Sequence, residues 1–197
     1  VDEVRIALNA GGALALRGCL GRFRLAVSDP VGQLLMPALL RRVVIEAPGV
    51  TLQIVASGHE VPMQALAGGT LDLAIAHFES VAPDLRGSAL YERPLVVVCR
   101  RQHPQIHGRL SVRQFVASQH VSIIPHAFVL EEALRRTFVA AGRPYRLLAS
   151  LQPIGAALAI VAATDALALV TEPIARRHAG ALDLQVLKLP SALALPP

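Results

Sequence analysis

Short apolar, β-branched runs alternate with stretches of helical spacing along almost the whole chain, and this alternation restricts the fold more than any other feature. Phe23-Arg-Leu-Ala-Val27 reads as a strand closed by Ser28-Asp29-Pro30. That trio is a helix start, because a Ser or Asp oxygen accepts from unpaired backbone N–H groups and Pro fits the first helical position. Leu34, Leu35, Leu39, Val43 and Ile45 follow at roughly helical spacing until Ala47-Pro48-Gly49 stops the helix. A second strand is predicted over 50–55, a loop over 57–60, a short helix over 62–67 closed by Gly68-Gly69, and a third strand over 71–76. The strongest β-type run is Leu95-Val-Val-Val-Cys99. Beyond it, helices are predicted over 112–117, 130–141, 154–163 and 173–179, with strands over 120–124, 145–149, 166–170 and 184–189.

Strands interleaved with helices imply an α/β protein whose parallel sheets are covered on both faces. The polar, Pro- and Gly-containing stretch from Arg100 to Arg109 breaks the pattern, so two small α/β units, 23–98 and 105–189, fit better than one continuous sheet. A chain of 197 residues is long enough to bury a core in each. Two such lobes linked by crossing strands place a cleft between them, with strand C-termini at its rim, where small ligands bind.

Composition removes several classes. With 53% hydrophobic and 17% charged residues the bulk of the chain is not disordered. The longest apolar stretch, Ile154 to Ala163, is about half of the ~20 residues a membrane span requires. The net charge of +5 comes from scattered single and paired Arg residues, whereas a nucleic-acid surface needs clustered charge. Cys19 and Cys99 lack neighbours at metal or redox spacing and point to a reducing, cytoplasmic setting, with Cys99 a small buried hydrophobe. The opening Val1-Asp-Glu-Val-Arg has no basic stretch followed by an apolar core, so no export signal is expected.

Enzyme signatures are missing as well. Gly11-Gly12 and Gly68-Gly69 lack the further Gly, Lys and Ser/Thr of phosphate loops, and no Gly-x-Ser-x-Gly elbow occurs. His103 and His107 share an i,i+4 spacing, but Pro104 and Gly108 break a helix there, so no metal and no cofactor is expected. The informative residues are polar ones that follow strands. These are Ser28 and Asp29 after the first, Gly58 and His59 after the second, and His77 and Phe78 after the third. In the second half they are Pro125, His126 and Phe128, then Gln152 and Pro153. Hydroxyls, imidazoles, an aromatic ring and the positive end of a helix suit a small carboxylate-bearing or aromatic ligand. His120, which opens a strand, reads as a buried structural histidine, and His103 as a turn former.

Many short stretches together resemble one family. Phe23-Arg-Leu-Ala-Val-Ser-Asp-Pro, Leu35-Met-Pro-Ala-Leu-Leu-Arg-Arg and Ala47-Pro-Gly-Val-Thr-Leu are similar to the opening of the effector-binding domain of LysR-type transcriptional regulators. So are Leu66-Ala-Gly-Gly-Thr-Leu-Asp-Leu-Ala-Ile, Tyr91-Glu-Arg-Pro-Leu-Val-Val-Val with His103-Pro104, and Leu110-Ser-Val-Arg-Gln-Phe with His120-Val121. Val161-Ala-Ala-Thr-Asp-Ala-Leu-Ala-Leu-Val is similar to the form found in nodulation and aromatic-degradation regulators. The resemblance implies two Rossmann-like lobes of the type 2 periplasmic-binding-protein kind, joined by crossover strands. Residues 1–21 would then be the end of a linker helix and its connection, 22–98 plus 190–197 the first lobe, and 99–189 the second. It also implies a small-molecule effector in the cleft, a homodimer or tetramer, and DNA contact only through a winged helix-turn-helix ahead of residue 1. No membrane partner and no catalysis are implied. The alternative with the same fold is an extracytoplasmic solute-binding protein.

Overall fold

The computed structural model describes residues 17–57, 63–76, 78, 80–90, 94–123, 128–191 and 193. The chain divides into two compact units, Val1–Ser88 and Ala89–Pro197.

The first unit is built on strands β1 (Gly21–Ser28), β2 (Val50–Ser57) and β3 (Leu73–Ile75), in the order β2-β1-β3 and all parallel. β1 runs straight into helix α1 (Asp29–Glu46): Ser28 is both the last residue of the strand and the N-cap of the helix. Pro30 enters the first turn, where its missing N–H costs no hydrogen bond, whereas Pro37 interrupts the ladder in mid-helix on an exposed face. Val31 and Met36 of α1 pack with Leu25 and Val27 of β1, and Phe23, Leu35, Leu39, Leu52 and Ile75 close around them. The helix ends where the Ala47 N–H bonds the Val43 carbonyl. Gly49 then passes so close to the preceding segment that a Cβ there would lie 2.6 Å from Leu20 Cδ2 and 2.7 Å from the Cys19 carbonyl oxygen. After the short helix α2 (Met63–Ala67) the chain turns through Gly69, whose φ of +66° favours glycine. Arg24 fixes this turn to β1: its guanidinium donates to the Gly69 carbonyl at 2.6 Å and its backbone N–H to the Asp72 carboxylate at 2.7 Å.

The second unit carries a five-stranded sheet in the order β6-β5-β7-β4-β8, from β4 (Leu95–Arg100), β5 (His120–Ser122), β6 (Leu147–Ser150), β7 (Leu167–Thr171) and β8 (Leu184–Lys188). Its helices are α3 (Val112–Ala117), α4 (Phe128–Ala140), α5 (Ile154–Ala163) and α6 (Glu172–Ala179). Alternate residues of each strand face opposite sides. Val97, Cys99, Leu167, Leu169 and Leu187 join Phe115 and Val116 of α3 and Leu134 and Phe138 of α4 in one cluster. The other face of the sheet carries Val98, Ala168 and Val170 toward α5 and α6, whose Ala157, Leu158, Val161, Ile174 and Ala175 are buried. α3 starts with a capping box, in which the Ser111 hydroxyl accepts from the Gln114 N–H and the Gln114 side chain accepts from the Ser111 N–H.

Two expectations are corrected here. The sheets are not wholly parallel: β4 is antiparallel to both β7 and β8. The strand expected to close the first unit at residue 98 sits second from the edge of the other sheet, where β7 and β8 pair with it, and the units divide between Ser88 and Ala89. Leu193, in the tail expected to return to the first unit, is buried in the cluster of the second.

Both histidines read as structural are so. His120 is buried, its Nε2 donates to the Phe115 carbonyl at 2.9 Å, and its ring lies between those of Phe115, Phe138 and Tyr145. Burial pushes its pKa down to about 4 against the opposing pull of that hydrogen bond. His103 shapes its turn by donating from Nε2 to the Asp165 carbonyl and accepting the Gln105 N–H at Nδ1, each at 3.1 Å. Cys99 is fully buried, and desolvation pushes its thiol up to about 11.

Candidate functional site

The C-terminal ends of parallel strands are where an α/β sheet leaves backbone groups and helix starts open to a ligand. In the first unit that edge is made by Ser28 and Ser57, register partners at the ends of β1 and β2. Neighbouring strands lie about 4.8 Å apart, so the two residues are direct neighbours. Ser28 makes no side-chain cap hydrogen bond, although it is the N-cap of an 18-residue helix. The Ser57 hydroxyl oxygen is shut off from solvent and, among the described residues, has no hydrogen-bond partner. A buried orphan hydroxyl is costly and is expected where a further partner is meant to arrive. Asp29 lies exposed in the first turn of α1, where the helix dipole favours its charge, and its Oδ1 accepts from the Gln33 amide at 3.1 Å. β3 ends one residue before Ala76, and Phe78 beyond it is half-buried.

The second unit repeats this arrangement. Ser122 and Ser150 are register partners ending the parallel strands β5 and β6. The Leu151 N–H donates to the Ser122 carbonyl at 3.0 Å and turns the chain toward Gln152 and Pro153, both exposed. Pro153 is the N-cap of α5 and offers no side-chain cap, the first turn holds no acidic residue, and a Cβ at Gly155 would meet nothing within 4 Å. Phe128 is the first residue of α4.

Of the residues singled out in the sequence, the structure thus brings Ser28 and Asp29 together at one edge, with Phe78 after β3, and puts Gln152 and Pro153 at the start of α5. Gly58, His59, His77, Pro125 and His126 lie outside the described residues. The sequence reading missed Ser57, placed in a loop, and the pair Ser122 and Ser150. No sequence signal marks them as a set: Ser122 interrupts an apolar run that continues through Ile123-Ile124, and only the structure shows a serine ending β1, β2, β5 and β6 alike.

Chemically, these edges offer hydroxyls and backbone N–H groups, which bind and orient polar groups. Among the described residues no three His, Cys, Asp or Glu side chains converge as metal ligands, and no helix is long and apolar enough to cross a membrane.

Residues 17–196 match the family model described as LysR substrate binding domain. Nodulation protein D of Rhizobium leguminosarum bv. trifolii is 30% identical over 101 residues, 51% of this chain and 31% of that protein. The HTH-type transcriptional activator NahR of Pseudomonas putida is 30% identical over 103 residues, covering 52% of this chain and 34% of NahR. The chain thus spans about a third of the length of these curated relatives. In fold it is similar to the probable transcriptional regulator PA0477 from Pseudomonas aeruginosa, with a TM-score of 0.77 at 24% identity over 96% of this chain and 64% of the other. The effector binding domain of QuiR, solved in complex with shikimate, has a TM-score of 0.67 at 16% identity over 88% of this chain and 82% of its own. The strand–helix alternation, the two α/β units and a match reaching across both converge on one conclusion: this chain belongs to the LysR substrate-binding domain family.

Proposed function

We propose that this chain is the sensing part of a LysR-type transcriptional regulator and that it takes up a small carboxylate-bearing or aromatic effector at its sheet edges without transforming it. The observation that carries the reading is the Ser57 hydroxyl, buried and without a partner among the described residues, beside Ser28 at the start of α1. Ser28, Asp29, Gly58, His59, His77 and Phe78 supply contacts from the first unit, and Pro125, His126, Phe128, Gln152 and Pro153 from the second. Binding that favours one arrangement of the domain over another shifts the population toward it, and couplings of about 1–3 kcal/mol are typical of such linkage. A longer protein carrying this domain would act as a cytoplasmic homodimer or tetramer, with DNA bound by a separate N-terminal domain. NahR, one of the relatives matched, is a transcriptional activator, which supports this reading over a solute-binding protein.

Thermal unfolding against a panel of aromatic and aliphatic carboxylates tests the proposal. A true effector at ~100 times its dissociation constant adds about 2.7 kcal/mol of stability. Ser57→Ala removes an unsatisfied polar atom, so the unliganded variant is expected to be as stable as the parent or more so, while its response to the effector shrinks. A panel without any stabilising compound, or an effector response that survives Ser57→Ala intact, overturns the assignment.

A further inference from the structure

We draw no further inference here: the strongest candidate, the exposed apolar surface patch of Leu40 and Val44, one turn apart on α1, carries nothing because nothing in the structure shows what covers it.

Discussion

Acid should loosen the second unit through a single side chain. His120 titrates near 6.5 in the unfolded chain and near 4 in the folded one, because burial disfavours its charged form. Between these values the unfolded chain binds a proton that the folded chain excludes, so stability falls as the pH drops through 6.5 and stops falling below about 4. Going from about pH 8 to about pH 5 should remove about 2 kcal/mol from the unit that holds His120. The structural cause is that a charged imidazole would sit among the rings of Phe115, Phe138 and Tyr145, at centroid distances of 4.6, 5.3 and 5.4 Å. Urea unfolding at a series of pH values, followed by far-UV circular dichroism and by tyrosine fluorescence, to which Tyr145 beside His120 contributes along with Tyr91, reads the effect. His120→Phe supplies the control: it keeps an aromatic ring and cannot titrate, but takes the Nε2 donor from the Phe115 carbonyl, which keeps only the long 3.4 Å bond from the Ser118 N–H, and this lowers stability at every pH by about 1–3 kcal/mol. The parent curve should therefore fall toward the variant's as the solution is acidified. Parallel curves would show that His120 is not the group responsible and would refute the reasoning.

Three further outcomes are expected. Gly49→Ala should lower the melting temperature, since its Cβ would meet the Leu20 side chain and the Cys19 carbonyl at 2.6 and 2.7 Å; such overpacking costs about 1–3 kcal/mol. The Gln185 amide donates to the carbonyls of Arg101 and Ile106 at 2.9 and 2.8 Å and accepts the Gly108 N–H at 2.8 Å, so Gln185→Ala should destabilise the second unit in denaturant by about 1–3 kcal/mol. Cys99, buried and with its thiol near 11, should resist alkylation at about pH 8 until the chain is unfolded, as mass spectrometry of native and denatured samples will register.

What the sequence revealed followed the range of the forces involved. Helices α3 and α5 fall on the residues predicted for them, because local spacing and stop signals define both: Ser111 caps one, and Pro153 and Thr164 bound the other. The direction of β4 was not legible, because a run of valines pairs equally well either way and only its neighbours β7 and β8 decide. The candidate site was half visible. Ser28 and Asp29 stood out as a helix start, a local signal. Ser57 was hidden, because its interest lies in burial and a missing partner, which arise only when β2 is laid beside β1. Conversely, His120 yielded to sequence because a histidine opening an apolar strand has few ways to be satisfied other than a nearby backbone carbonyl.

The junction of β1 and α1 has no slack. One residue serves as the strand's last rung against Ser57 and as the helix's first anchor. A single inserted residue there would have to shift the ladder by a step, which turns side chains to the wrong face, or unwind the first turn. A displacement of a fraction of an ångström at Ser28 is likewise passed directly into the turns of α1 ahead of Pro37, since no intervening loop can absorb it.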